Sequence, residues 1–390
     1  MSATYDVIVA GVGGMGSAAC WQLARRGVRV LGLERFDIPH DRGSSHGLNR
    51  IIRLAYYEHP SYVPLLRRAF ALWRETEAAY GERLLFVTGG VDAGPENGRI
   101  VSGSLASCAE HGLPHETLSA RDLAARFPGW RLPDGMVGVV QPDAGFVASE
   151  RAIVAHAGMA LDAGADIRAR EAILSWEITG AGTVAVTTTR GRYEAGRLVL
   201  STGAWIADHV PDLKGKAVPE RQALGWFRPL APEHFRLGRF PVGVVEAGER
   251  PVYVFPEWGV PGFKIGVYHH LGETGHADAL SREPDAADEA VLREAMRAFF
   301  PEANGPALSL KCCLFTNTPD EHFVIDTLPG APQVIVASPC SGHGFKFSSV
   351  VGEILADMAT ERAPALDLSL FRLDRLKGRA RRASAGAPRR

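Results

Sequence analysis

Residues 5–34 read YDVIVAGVGGMGSAACWQLARRGVRVLGLE, and the spaced glycines in this stretch restrict the local fold more than any other feature of the chain. A β-branched apolar run predicts a strand, the GVGGMG segment a tight turn, SAACWQLARRG a helix, and VRVLGLE a second strand. Strand, glycine turn, helix and strand in this order turn a weak G-x-G-x-x-G match into a strong dinucleotide-binding signature. Gly11 permits the tight turn, Gly13 admits a pyrophosphate against the backbone, and Gly16 lets helix and strand pack closely. The helix start then offers free amides and a positive dipole end to phosphate. Glu34 closes the second strand, where a carboxylate accepts hydrogen bonds from ribose hydroxyls. The motif fixes an adenosine diphosphate and leaves NAD and FAD equally open. A second apolar strand, Leu198–Leu200, runs into the small residues Thr202-Gly203-Ala204, another place where backbone can approach a cofactor.

The whole 390-residue chain has a formal charge of −1 and 22% charged residues, which argues against a dedicated nucleic-acid binder. Five cysteines, at 20, 108, 312, 313 and 340, form an odd and irregular set. That pattern predicts no disulfide scaffold, no zinc site and a reducing, cytoplasmic location. The apolar stretch Val7–Val12 is too short and glycine-rich for a signal peptide, and no run reaches the ~20 residues needed to cross a bilayer. After Glu34 we read a long loop holding Arg42, His46, Arg50 and Arg53, then a helix from about Pro60 to Glu77. Strands are expected around 85–93, a helix within 142–167, and a hairpin near Gly180–Gly182. Strand-like runs with one helix near Glu289–Phe300 follow, and a last strand at 330–340 leads into a loop and helix. The pattern predicts a mixed α/β fold, with a Rossmann-like nucleotide domain (1–85, 145–218 and 318–375) interleaved with a sheet-rich substrate domain (86–144 and 219–317). Residues 376–390, basic and poor in apolar side chains, are expected to be a disordered tail.

Three late features carry chemistry. Lys264 lies inside the apolar strand GFKIGVY, where an ammonium is costly unless it faces a polar or wet cavity. Lys346 lies in SGHGFKFSS, where Gly342, His343 and Gly344 give a flexible approach and the following helix start is a poor place for a surface cation. Cys312 and Cys313 stand side by side in KCCLFTNTPDEHF, too close in sequence to bridge each other easily. From the residues alone they are small buried apolar groups or reactive thiols.

The stretches GVGGMGS, GSSHGLNRIIRLAYYEHPSYVPL, TGAW, RQALGWF, GFKIG, TPDEHFVID and SGHGFKFSSVVGE resemble the monomeric sarcosine oxidase and N-methyltryptophan oxidase family, over residues 6 to about 372. The resemblance implies an FAD-dependent amine oxidase that converts an N-methyl or cyclic amino acid to an imine and reduces O2 to H2O2. It implies FAD bound through Gly11, Gly13, Gly14, Gly16, Glu34, Ser45, Gly342, His343 and Gly344, with a thioether from the 8α carbon to Cys313. Register leaves Cys312 as the other possible bearer. It implies that Arg53 and Lys346 hold the substrate carboxylate, that His46 and Arg50 tune the flavin, and that Lys264 activates oxygen. Tyr253 matches an active-site tyrosine, whereas Phe315 stands where sarcosine oxidase has another. His269, with His270 as the alternative, matches a substrate-side histidine in a stretch one residue longer than the family's. The family leans monomeric, with a small-molecule amine and O2 as its only partners. A dehydrogenase passing electrons to a protein or quinone, and a non-enzymatic flavin binder, are the competing readings.

Overall fold

The run Tyr5–Ala10 extends into the strand Thr4–Ala10, which pairs in parallel with Val30–Leu33 on one side and with Arg192–Leu200 on the other. In the computed structural model, which describes residues 4–338 and 341–378, this strand is central to an eight-stranded sheet. Ile8, Val9, Leu198 and Leu200 are completely buried, because helices or loops cover both faces of the sheet. Each such side chain contributes about 1.5–3 kcal/mol relative to an exposed one, which is why the strands read as continuous apolar runs. The sheet runs Ile173–Ile178, Val184–Thr188, Arg192–Leu200, Thr4–Ala10, Val30–Leu33, Asp166–Arg168. The far end of Arg192–Leu200 also pairs with Ala331–Ser338, which pairs with Val324–Leu328.

The predicted glycine turn leads into the helix Gly14–Ala24. Gly11 has φ +89°, and a Cβ there would lie 2.5 Å from the carbonyl oxygen of Ser201. A Cβ on Gly16 would lie 1.7 Å from the carbonyl oxygen of Gly11, so this turn excludes every other residue at that position. The helix packs against Ser149–Asp162 and against Ser348–Ala359, where Gly352 meets the backbone of Ala18.

A second eight-stranded sheet runs Ala307–Asn317, Val218–Phe227, Phe263–Val267, Val252–Phe255, Val242–Val245, Gly90–Pro95, Met136–Gln141, Glu116–Ser119. The helix Ala286–Phe299 closes its apolar face through Leu292, Met296 and Phe299, beginning in a capping box at Asp285 and Asp288. Strands from 90–141 and from 218–317 thus share one sheet, and strands from both ends of the chain share the other.

Several expectations need adjustment. Arg50 and Arg53 do not lie in a loop: Asn49–Arg53 is a strand paired antiparallel with Ala144–Ala148, which also pairs with Leu85–Val87. The helix expected at Pro60–Glu77 is a 3-10 turn, Pro60–Tyr62, followed by Val63–Tyr80 and ended by left-handed Gly81. The helices Arg99–His111 and Ala120–Arg126 were not anticipated. Leu376, placed at the start of the tail, is fully buried at the end of a 3-10 turn. Residues 379–390 of that tail, with Pro339 and Cys340, lie outside the described residues.

Candidate active site

One cavity of about 630 Å³ begins at the glycine turn and continues to the second sheet. At its nucleotide end Gly11, Gly13, Gly14, Glu34 and Ser45 line the wall, and the Ser45 hydroxyl accepts from the Gly14 amide at 3.4 Å. Gly16 is spent on helix packing instead. Both Glu34 oxygens are engaged, accepting from Val12 N–H at 2.8 Å and Phe36 N–H at 3.0 Å. The carboxylate therefore buttresses the turn from the strand that follows it. Thr202 and Thr316 also line the cavity, and their buried hydroxyls have no partner among the described residues. Buried polar groups are normally satisfied, so these fit a polar ligand. A glycine cradle with unpaired hydroxyls along one continuous cavity suits a dinucleotide.

At the far end, Gly342, His343, Gly344 and Lys346 line the cavity, opposite Arg50, Tyr253, Phe255, Cys313 and Phe315. Gly342 takes φ +79°, and a Cβ there would come within 2.5 Å of the Phe315 ring. Lys346 belongs to the 3-10 turn Phe345–Phe347 and is 5% exposed, so it is not a surface lysine. Its ammonium donates to His343 O at 2.8 Å and to the Tyr56 hydroxyl at 3.3 Å. His343 Nε2 lies 2.9 Å from Glu321 O, which can only accept, so Nε2 carries the proton. His343 Nδ1 then accepts from the Tyr56 hydroxyl at 2.6 Å. Burial takes the His343 pKa down to about 4 and that of Lys346 down to about 7, with the Glu58 carboxylate pulling both back up.

Cys313 and Cys312 alternate across the strand Ala307–Asn317. Cys313 lines the cavity beside Leu224, Trp226 and Phe315. Cys312 faces the opposite side, where its sulfur accepts from Arg221 Nη2 at 2.9 Å. Arg221 is itself paired with Asp288 at 2.6 Å. Burial raises the Cys313 thiol, while the charges of Arg50, Lys264 and Arg282 pull it down.

Four anticipated residues stand behind the cavity wall rather than in it. Lys264 is buried and gives all three ammonium protons to protein oxygens: Gly47 O at 2.7 Å, Asn49 O at 2.8 Å and Asn49 Oδ1 at 2.7 Å. It lies over the rings of its cross-strand neighbours, 4.3 Å from Phe255 and 5.6 Å from Trp226. Burial lowers its pKa, but three acceptors match an ammonium and would leave a neutral amine one donor short. Its partners flank His46 and Arg50. His46 is 3% exposed, burial takes its pKa down to about 3, and neither ring nitrogen has a partner among the described residues. Arg53 is bonded to Glu58 at 3.0 Å and lies 3.4 Å from Asp92, between the rings of Tyr56 and Tyr57. The expected pair of cations is therefore not assembled in the cavity: Arg53 and Lys346 share the Tyr56 ring, but only Lys346 lines the wall. His269 is held between Glu220 at 3.1 Å and Glu321 at 3.3 Å, and these carboxylates raise its pKa to about 9. His270 turns away into a buried pair with Asp288 at 2.9 Å. Tyr268, which sequence reasoning passed over, lines the cavity instead. The unusual length of GVYHHLGE was the available signal.

A nucleotide cradle running into a cavity built on a second sheet is the layout of a flavin-dependent oxidoreductase. Residues 6–358 match the family model of FAD dependent oxidoreductases, and the chain belongs to that family. It is 40% identical to monomeric sarcosine oxidase of Streptomyces avermitilis over 378 residues, covering 95% of this chain and 97% of that one. It is 36% identical to N-methyl-L-tryptophan oxidase of Salmonella arizonae over 376 residues, covering 95% and 99%. Among solved structures, NikD, an unusual amino acid oxidase essential for nikkomycin biosynthesis, superposes with a TM-score of 0.80 at 28% identity, covering 95% of this chain and 97% of its own. No helix among the described residues is long and apolar enough to cross a membrane, and no cluster of His, Cys, Asp and Glu there suits a metal ion.

Proposed function

We propose that this protein oxidises a secondary amino acid, N-methylated or cyclic, to the imine and passes the electrons to O2, releasing H2O2. The observation that carries this reading is the single cavity joining the nucleotide cradle to a buried lysine beside an aromatic wall. Bound FAD supplies the two-electron chemistry, accepting a hydride equivalent from the carbon next to nitrogen. Gly11, Gly13, Gly14, Glu34, Ser45 and Thr202 would hold its adenosine diphosphate, and Cys313 would hold its ring through a thioether. Lys346 binds the substrate carboxylate and so orients the reacting carbon. Arg53 adds positive charge behind it, countered by Glu58 and Asp92. Arg50 and the turn 342–346 supply the positive field that favours charge arriving at that end of the cavity. Lys264 fixes the segment carrying His46 and Arg50 and contributes its own charge. In this reading the protein is a cytoplasmic monomer, consistent with free thiols at Cys20, Cys108, Cys312 and Cys313. Oxygen uptake and peroxide release across sarcosine, other N-methyl amino acids, pipecolate and proline test it. Turnover of at least one, with one peroxide per oxygen consumed, is expected; turnover only with an artificial electron acceptor would favour a dehydrogenase.

Lys346 gives this reading a pH signature. With its pKa near 7, the ammonium is present below that value and lost as pH rises through it. A bound carboxylate favours the charged form, so affinity for a simple carboxylate such as acetate is highest below pH 7. Above it the dissociation constant should rise about tenfold per pH unit. Lys346→Gln should weaken binding at pH 6 by about 10- to 100-fold and flatten the profile. A profile that is unchanged in the variant would remove Lys346 from carboxylate recognition.

A further inference from the structure

Tyr268 follows the strand Phe263–Val267 in a turn where His269 and His270 take φ of 56° and 21°. Two successive left-handed residues without glycine are costly, about 1–3 kcal/mol each, and persist only where surroundings impose them. Here the backbone N–H of Tyr268 donates to Pro251 O at 2.8 Å, while the two histidines are captured by Glu220, Glu321 and Asp288. The turn thereby directs Tyr268 into the cavity.

There its ring meets Tyr253 edge-on, with centroids 5.4 Å apart at 86°, and Phe315 at 5.4 Å and 58°. Tyr253 is held flat across Gly266, where a Cβ would lie 2.1 Å from its ring, and Phe315 lies across Gly342. Two of the three rings, Tyr253 and Phe315, are thus backed by glycines. Gly342 lies four residues before Lys346, and the three rings line the same cavity as the lysine. Neither the Tyr253 nor the Tyr268 hydroxyl has a hydrogen-bond partner among the described residues, and burial raises both phenols.

We propose that Tyr268 determines substrate selectivity: with Tyr253 and Phe315 it forms an aromatic corner for an apolar substituent larger than methyl on an amino acid held by its carboxylate at Lys346. This rests on the amine-oxidation reading above. A substrate anchored at the lysine presents its substituent to ring edges and faces, where aromatic contacts add to plain area burial.

The test compares Tyr268→Ala and Tyr268→Phe with the native holoprotein in two assays. One is the ratio of kcat/KM for N-methylphenylalanine to that for sarcosine. The other, independent of turnover, is the calorimetric affinity for phenylacetate relative to acetate. The native protein should prefer the aromatic member in both, and Tyr268→Ala should lower both ratios by about 10- to 100-fold, leaving acetate affinity nearly unchanged. Tyr268→Phe should keep both ratios, because the ring and not the hydroxyl makes the corner. Unchanged ratios in Tyr268→Ala, equal losses in Tyr268→Phe, or a native preference for sarcosine and acetate would each overturn the proposal. If the alanine variant does not fold, Tyr268→Leu keeps bulk without the ring and should give the same loss. A native protein that oxidises no amino acid, yet shows the expected change in carboxylate affinities, would sink the proposed reaction and leave the corner standing.

Discussion

Replacing Lys264 by methionine is expected to slow reoxidation of the reduced enzyme by O2 by about 100- to 1000-fold while leaving its reduction by amine largely intact. The ammonium is buried within the second sheet and bonded to Gly47 and Asn49, so its charge falls on the segment that carries His46 and Arg50. Methionine matches the length and removes the charge. It also strips the only described lysine donor from Gly47 O, Asn49 O and Asn49 Oδ1. A buried acceptor left unsatisfied costs about 1–3 kcal/mol, so the variant should also melt at a lower temperature. The two effects separate by rapid mixing. Loss of both half-reactions means Lys264 only positions the 47–50 segment. Reoxidation at the native rate, in a variant that has lost stability, rejects the oxygen role altogether.

Serine at position 313 should release the cofactor completely. After acid precipitation the native protein is expected to keep its yellow colour in the pellet, Cys313→Ser to lose it to the supernatant, and Cys312→Ser to behave as native. The strand supplies the reason. Gln222 pairs with Cys313 and Ala223 with Cys312, so consecutive sulfurs point to opposite faces, and only one face borders the cavity. The cavity side is also where Arg50 and Lys264 favour a thiolate. Burial raises both thiols, so direction and not acidity separates them: the Cys312 sulfur is turned away and bonded to Arg221. The neighbouring residue, Leu314, is tied to the nucleotide loop through the Ser44 hydroxyl at 2.5 Å, which keeps this strand in register with the cradle. Colour retained by Cys313→Ser and lost by Cys312→Ser would reverse the assignment.

What could be read from the chain divides by the range of the interactions involved. The glycine turn was legible because Gly16 is forced by the Gly11 backbone five residues before it, although the Ser201 backbone that crowds Gly11 arrives from a distant strand. The face of the cysteines was half legible: alternation separates them, but only the pairing with Val218–Phe227 says which side meets the cavity. Asn49–Arg53 looked like a loop because its partners lie at 144–148, and its polar ends, Asn49 and Arg53, break the apolar alternation expected of a strand. Arg53 was recognised as a buried charge, but its second counter-ion, Asp92, comes from a different sheet and nothing near Arg53 announces it. The exchange of roles between His269 and Tyr268 was hidden for the same reason. Glu220, which captures His269, lies far back in the chain, in a polar run Glu220-Arg221-Gln222 that gives no sign of its partner.

The most direct test of the central claim is anaerobic mixing of the purified yellow protein with N-methyl and cyclic amino acids. Bleaching of the visible flavin band by at least one of them, reversed with peroxide formation when air is admitted, is the predicted result. A band that persists in the presence of all of them would contradict it.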